Sequence, residues 1–169
     1  MKAPSRGGTF VDPRTGARQP LAAFVDAFAR LWADPAAAGY RFLDLLAEDV
    51  VLEAPLVGES RGRAAGYAGL RRSFALLPDL RATTDGWAEV DGALWIAMRF
   101  CAEVGGRVIR WPNVDVFTFA DGLAVRRVAH FDPLPLAWAV TRSPGHWRRF
   151  LRFRFGAAPK TWPSGARDP

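Results

Sequence analysis

Apolar residues recur at helical spacing near the start of the chain. One apolar stripe predicts a helix that begins at about Leu21 and ends at Asp34-Pro35. The members of this stripe are Leu21, Phe24, Val25, Phe28, Leu31 and Trp32. The same spacing predicts a second, short helix over residues 36–46.

A strand and a third helix follow in the predicted order. The β-branched run around Val50 and Val51 indicates a strand that Pro55 and Gly58 bring to an end. Helical spacing returns over residues 64–77, and Pro78 closes this third helix. The shared apolar face of this helix consists of Tyr67, Leu70, Phe74 and Leu77.

After Leu80 the pattern changes to the alternation that is typical of strands. Three turn dipeptides separate the apolar runs, namely Asp91-Gly92, Gly105-Gly106 and Asp121-Gly122. Because such dipeptides between apolar runs indicate hairpins, residues 80–131 are predicted to form a four-stranded antiparallel meander. Helices followed by a meander are typical of an α+β domain.

The Gly105-Gly106 turn predicts which residues of the two central strands face each other. A two-residue loop pairs Phe100 with Trp111, Met98 with Asn113, Ile96 with Asp115 and Leu94 with Phe117. This face is apolar and aromatic, whereas the reverse face carries Trp95, Arg99 and Cys101. The first face is therefore predicted to line a pocket.

The Asp121-Gly122 turn permits two registers for the last hairpin. A loop of three residues pairs Asp115 with Arg127, Asn113 with Ala129 and Trp111 with Phe131. A loop of two residues instead places Asp115 opposite Val128 and diagonally near His130. We favour the first register because it joins two apolar faces. In that register His130 points away from the pocket.

Length and composition fit one domain with terminal extensions. The chain has 169 residues, half of them hydrophobic, which is enough to bury a core. We expect a disordered segment over residues 1–19, a domain over 20–140 and a basic aromatic tail over 141–169. Residues 1–139 hold equal numbers of basic and acidic side chains, so the net charge of +6 arises in the tail.

The basic tail offers two interpretations. Its segment from His146 to Phe155 alternates aromatic residues with four arginines, a composition that suits an anionic membrane surface or a nucleic acid. Alternatively, the aromatic side chains pack on the domain while the arginines face water. The apolar stripe is short, and we favour packing. We therefore expect no nucleic-acid partner.

Cysteine content and apolar runs bear on the cellular location. Cys101 is the only cysteine, so no disulfide can form within the chain. The first 20 residues lack the apolar core of a secretory signal, and no apolar run reaches the roughly 18 residues that a membrane span needs. We expect a cytoplasmic protein.

Two segments carry a resemblance to a known family. The segment VVLEAPLVGESRGRAAGYAGL, within residues 40–74, and the segment WPNVDVFTFADGLAVRRVAHFDPLPL resemble the SnoaL-like branch of the nuclear transport factor 2-like superfamily. With the meander, the resemblance covers about residues 20–140. It implies a cone-shaped fold in which the N-terminal helices close a curved antiparallel sheet, often in a homodimer. Relatives include polyketide cyclases, ketosteroid isomerases, epoxide hydrolases, dehydratases and non-catalytic binding proteins.

The resemblance also identifies positions where relatives hold carboxylates. Ketosteroid isomerases place a general base just before the proline that ends the first strand, and that position here is Ala54. Glu53 precedes it and should point to the opposite side of the strand. SnoaL-like cyclases use an acid on the last strand, and the matching position is Ala129. Asp115 matches a pocket acid of the isomerases that donates a hydrogen bond when protonated.

These observations define a candidate site around Asp115, the candidate catalytic acid. The candidate ligand-binding residues are Arg127, Trp111, Asn113, Phe117, Met98, Tyr67, Phe131 and Trp87. The structural alternative is an ion pair between Asp115 and Arg127 within a packed core. A dyad of Asp115 and His130 exists only in the two-residue register. Two histidines and one cysteine make no usual metal site, and we predict neither a metal nor a cofactor.

The predicted function is therefore that of a bacterial-type protein that binds an apolar, ring-containing small molecule. Acid–base isomerase, cyclase or dehydratase chemistry is one form of it. The alternative is a non-catalytic ligand-binding or dimeric interaction module, which the alanines at both carboxylate positions favour.

Overall fold

A curved six-stranded sheet forms the centre of the computed structural model, which describes residues 8–163. The strands are β1 (Thr9–Val11), β2 (Arg18–Pro20), β3 (Leu46–Ala54), β4 (Gly58–Arg61), β5 (Arg81–Val90), β6 (Ala93–Val104), β7 (Arg107–Ala120) and β8 (Leu123–His130). The helices are α1 (Leu21–Ala33), α2 (Arg63–Leu76), α3 (Leu134–Thr141) and α4 (Pro144–Phe155). The large sheet has the order β4-β3-β8-β7-β6-β5, and β1 and β2 form a separate hairpin. The predicted α+β class is confirmed.

Helix α1 confirms the first predicted helix and supplies much of the core. It begins after Pro20 and ends before Asp34, and its apolar stripe is buried against the sheet. The rings of Phe24 and Phe28 contact Phe117 edge-on, with centroids 5.0 and 5.1 Å apart. These aromatic contacts fill the sheet face at this end of the cone.

The second predicted helix is wrong. Residues 35–40 form turns, and only a 3-10 helix over Phe42–Leu45 follows. Gly39 and Tyr40 both adopt positive φ angles, of 62° and 58°, and this left-handed backbone cannot continue an α-helix. The chain enters β3 directly, so that strand is longer than the sequence predicts. The third predicted helix is confirmed as α2, within one residue at each end.

The four-stranded meander and the register of its central hairpin are confirmed. Strands β5 to β8 follow each other in antiparallel order, joined by the three predicted turns. All four predicted pairs between β6 and β7 occur, including Met98 with Asn113 and Ile96 with Asp115.

Both registers predicted for the last hairpin are wrong. The loop has two residues, with Ala120 opposite Leu123, but a bulge at Val125 shifts the pairing farther along the strands. As a result Asp115 lies opposite Ala129, and Arg127 lies opposite Phe117. Asp115 and Arg127 still lie on the same face of the sheet, as the favoured register predicted. The bulge adds one residue to β8, and this extra residue returns Arg127 to the face of Asp115.

The N-terminal segment departs from the predicted disorder over residues 1–19. Strands β1 and β2 form a hairpin that buries Phe10, and the backbone of Val11 donates a hydrogen bond to Gly122. Asp12 accepts hydrogen bonds from the backbone and the guanidinium of Arg14, at 2.6 to 2.9 Å, and these bonds lower the pKa of Asp12. Residues 1–7 lie outside the described residues.

The C-terminal segment folds back on the domain. In α4, Phe150 and Phe153 pack against the core while its arginines are exposed, as the packing interpretation predicts. Trp147 and Phe155 are exposed, contrary to the packing interpretation. Farther on, Trp162 is buried and stacks on Tyr40, with ring centroids 4.3 Å apart. Residues 164–169 of the predicted tail are outside the described part of the chain.

Candidate functional site

A cavity of about 130 Å³ opens between α2, the C-terminal segment and the inner face of β7 and β8. Its walls are mostly apolar and include Trp32, Leu52, Leu70, Leu77, Phe100 and Phe153. A dry apolar cavity of about 150 Å³ holds one benzene molecule, so this space matches a single ring.

The structure places four of the predicted ligand-binding residues on this cavity. They are Trp111, Asn113, Arg127 and Phe131, which come from β7, β8 and the segment after β8. Asp115, the candidate acid, is completely buried behind Arg127 and does not contribute to the cavity wall.

The other four predicted ligand-binding residues lie elsewhere. Phe117 and Met98 are buried in the core, and α1 covers the part of the sheet face that holds Phe117. The sequence pattern could not separate the filled part of this face from the open part. Trp87 lies on the edge strand β5 and is largely exposed.

Tyr67 is also absent from the cavity wall. Its hydroxyl donates a 2.7 Å hydrogen bond to Oδ1 of Asp44, in the 3-10 helix. Burial raises the pKa of Tyr67 strongly, and the hydrogen bond to Asp44 raises it further. The neutral hydroxyl thus has a structural partner.

The polar part of the site is the ion pair of Asp115 and Arg127. Nη2 of Arg127 donates a hydrogen bond to Oδ2 of Asp115 at 2.9 Å, and the side chains are 12% and 0% exposed. The guanidinium also lies over the rings of Phe28 and Trp32, 5.5 and 5.7 Å from their centroids. Within residues 8–163, neither Nε of Arg127 nor Oδ1 of Asp115 has a hydrogen-bond partner.

Asn113 is the second polar feature of the cavity. It is 2% exposed, and neither its Oδ1 nor its Nδ2 has a partner in the described part of the chain. A buried polar group without a partner costs about 1–3 kcal/mol, so the amide lowers the stability of the empty protein. Nε1 of Trp32, which also lines the cavity, has no partner among the same residues.

The two positions that hold carboxylates in relatives both face this cavity as alanines. Ala54 and Ala129 line it. The carboxylate of Glu53 pairs with Arg126, whose neighbour in sequence, Arg127, is on the inner face. His130 is exposed and lies opposite Val114, so it forms no dyad with Asp115.

No metal site emerges from the described residues, since no group of three His, Cys, Asp or Glu side chains in them could hold an ion. In the same range, no helix is long and apolar enough to cross a membrane.

Sequence reasoning did not identify several wall residues. Trp32 and Leu70 belong to helical stripes that the sequence shows, but their position over the cavity depends on how α1 and α2 cross the sheet. Phe153 lies in the basic tail, where its alternation with arginines gave no sign that it would meet a pocket.

Comparison with known proteins relates this arrangement to one domain family. The profile of the family described as SnoaL-like domain matches residues 36–127, more than half of the chain. A comparison with curated proteins finds no match.

Solved structures with a similar fold include three informative neighbours. TerC, crystallised with polyporic acid, is 18% identical, with a TM-score of 0.61 over 70% of this chain and 95% of TerC. A putative SnoaL-like polyketide cyclase from a Jannaschia species is 17% identical, with a TM-score of 0.59 over 71% and 92% of the two chains. A nuclear transport factor 2-like protein of unknown function from Burkholderia pseudomallei is 21% identical, with a TM-score of 0.63 over 71% and 96%. At these identities the likeness concerns the fold.

Proposed function

The chain belongs to the SnoaL-like domain family, and from this premise we propose that it binds an apolar, ring-containing small molecule in the cavity beside Arg127. The observation that carries the proposal is an apolar cavity of about 130 Å³ with few polar side chains in its wall. Small-molecule sites commonly combine apolar walls with a small number of polar groups that orient the ligand.

The neighbours support the class of ligand. TerC was crystallised with polyporic acid, and another neighbour is described as a putative polyketide cyclase. Both descriptions refer to small organic compounds. Fold alone does not define a reaction, so the proposal rests on the cavity of this chain.

Binding without proton transfer is the form of this function that the wall residues favour. Ala54 and Ala129 supply no ionisable group, and the carboxylate of Glu53 is engaged by Arg126. General acid–base catalysis needs a titratable group within hydrogen-bond reach of the substrate. We therefore propose a ligand-binding protein rather than an enzyme.

Acid–base isomerase, cyclase or dehydratase chemistry is the second candidate, and Asp115 is the residue that favours it. Its Oδ1 has no partner in residues 8–163, and it lies directly behind a residue of the cavity wall. If this chemistry occurs, Asp115→Asn abolishes turnover. In a protein that only binds, the same variant leaves the affinity for an apolar ring within about tenfold, or ~1.4 kcal/mol.

Native mass spectrometry of the freshly purified protein tests the binding function. We expect an added mass that denaturation removes and that identifies the retained small molecule. Ala129→Phe, which fills the cavity, should abolish the added mass. Ala88→Phe introduces the same ring at an exposed position of β5 and should leave it in place.

An added mass that both variants retain would contradict binding in this cavity. If the purified protein retains no added mass, toluene can be added instead. Measurement of toluene binding to the unmodified protein and to both variants then gives the same comparison. Failure of the unmodified protein to bind any single-ring probe would overturn the proposal.

The homodimer, the cytoplasmic location and the absence of a nucleic-acid partner stay predictions. Contact of the C-terminal segment with a membrane is a weaker alternative, since Phe150 and Phe153 pack against the core. Binding to anionic vesicles that persists after deletion of residues 142–169 would count against that alternative.

A further inference from the structure

The side chain of Asn113 indicates more about the ligand than the apolar walls do. Its amide offers one acceptor, Oδ1, and one donor group, Nδ2, and both are buried without a partner in the part of the chain that the structure describes. Buried amides in native proteins usually have hydrogen-bond partners. Asn113 lines the cavity, but its amide atoms are shielded from it in the empty protein, so the amide must turn toward the cavity before a ligand there supplies both partners at once.

Two other polar side chains of the wall already make hydrogen bonds within the protein. The hydroxyl of Ser73 donates to the backbone oxygen of Gly69 at 3.2 Å, and Arg127 donates to Asp115 at 2.9 Å. The amide of Asn113, in contrast, has both a donor and an acceptor without a partner in the described residues, on one planar group. Two parallel hydrogen bonds are possible only with a ligand edge that also carries one donor and one acceptor.

The charge of the site favours a neutral ligand. Asp115 and Arg127 balance each other within a hydrogen-bonded pair, so the buried part of the site has no excess charge for an ion. An anion would lose its hydration and meet the field of Asp115, and a cation would meet Arg127. Burial of an unpaired charge costs far more than burial of a neutral polar group that finds its hydrogen bonds.

On these grounds, and resting on the proposed function above, we propose that the cavity takes a neutral ring compound with adjacent donor and acceptor groups, as in a cyclic amide. Asn113 is its recognition residue and pairs with both groups. The ring lies between apolar walls that include Trp111, Ala129 and Phe131.

The test compares three single-ring probes on the full chain by ligand-observed NMR titration. 2-Pyridone carries the donor–acceptor edge, toluene lacks polar groups, and benzoate carries a negative charge. The variant is Asn113→Leu, which keeps the approximate size of the side chain but removes both polar atoms. Ser73→Ala is the matched control, because it removes a wall hydroxyl that already has an internal partner.

We expect Asn113→Leu to shift the ratio of the toluene and 2-pyridone dissociation constants by at least about tenfold in favour of toluene. Ser73→Ala should leave this ratio within about twofold. The unmodified protein should bind 2-pyridone more tightly than benzoate. Asn113→Leu should also unfold at a higher temperature than the unmodified protein, because it removes a buried amide that has no partner.

Three results would overturn this inference while the proposed function stands. They are an unchanged ratio in Asn113→Leu, tighter binding of benzoate than of 2-pyridone, and a lower unfolding temperature of Asn113→Leu in the ligand-free state. The last result would mean that the amide has a structural partner. If the unmodified protein binds none of the three probes, the proposed function itself fails, and this inference fails with it.

Discussion

At the residue scale, Arg127 joins the core to the cavity. Its guanidinium contacts two aromatic rings, donates to a completely buried carboxylate and reaches the cavity wall. Arginine suits this position because its planar cation can lie on rings while it donates hydrogen bonds at its edge. Its neighbour Arg126 lies on the opposite face and pairs with Glu53 in a more exposed setting.

Arg127→Met should lower the free energy of unfolding by about 3–5 kcal/mol, because it leaves the buried carboxylate of Asp115 without its partner. Arg126→Met is the matched control and should cost less than about 1 kcal/mol, since its ion pair is partly exposed. Urea denaturation of both variants measures the difference.

The double variant Asp115→Leu with Arg127→Met should recover most of that loss, because apolar residues can replace a buried ion pair without a net cost. If the double variant is no more stable than Arg127→Met alone, the loss arises from the aromatic contacts of Arg127 rather than from the unpaired buried charge of Asp115.

Tyr67 should make the free energy of unfolding depend on pH in the alkaline range. Burial first, and the hydrogen bond to Asp44 second, raise the pKa of Tyr67 in the folded protein. The folded state keeps the proton where the unfolded chain releases it, so stability should fall as the pH rises above about 10. Tyr67→Phe should cost about 1 kcal/mol at neutral pH and should make this alkaline decline shallower.

Urea denaturation of the unmodified protein and of Tyr67→Phe, at a series of pH values from neutral to alkaline, measures this effect. An equally steep decline in both proteins would mean that the proton of Tyr67 makes no contribution.

At the element scale, the C-terminal segment completes the body of the domain. Trp162 is 2% exposed, stacks on Tyr40 and meets Phe74 edge-on at a centroid distance of 5.9 Å. Helix α4 lies against α2 and contributes Phe153 to the cavity wall. The segment thus closes the helical layer over the cavity.

Trp162→Ala should lower the free energy of unfolding by about 3–5 kcal/mol, the usual cost of removing a buried tryptophan. Trp147→Ala, in an exposed position of α4, should cost no more than about 1 kcal/mol. Chemical denaturation of the two variants tests this contrast. Equal and small losses would mean that residues after α4 do not dock on the domain in solution.

At the scale of the whole molecule, the outer face of the sheet exposes apolar and charged side chains together. Trp95 keeps 43% of its surface exposed there, and the exposed Arg99 and Arg110 lie on the same face. Val116 lies opposite Trp95 and extends the apolar surface of this outer face, and a contiguous exposed apolar patch marks a candidate interaction surface.

The homodimer prediction can be examined on this face. We expect a dimer in sedimentation experiments at micromolar concentration, and Trp95→Lys should shift it toward the monomer because a buried lysine would lack a partner. Trp138→Lys changes another exposed tryptophan, on α3, and should leave the dimer intact. A monomeric unmodified protein would rule out the prediction, and a dimer that Trp95→Lys leaves intact would place the interface elsewhere.

The sequence alone determined the features that depend on neighbouring residues. Helix α1 follows from the spacing of its apolar stripe, and the pairing of Asn113 with Met98 follows from the Gly105-Gly106 turn. Both signals are local, because a turn sets the register of its own hairpin and a stripe defines the face of its own helix.

Only the tertiary structure decided the extent of the site. The bulge at Val125 set the partner of Asp115, and α1 filled the sheet face at Phe117 while Phe153, from the far end of the chain, closed the open part. These outcomes depend on packing between segments that are distant in sequence. Apolar residues show the same alternation in the sequence whether they pack against a helix or line a cavity. No local signal could therefore distinguish the filled part of the sheet face from the open part.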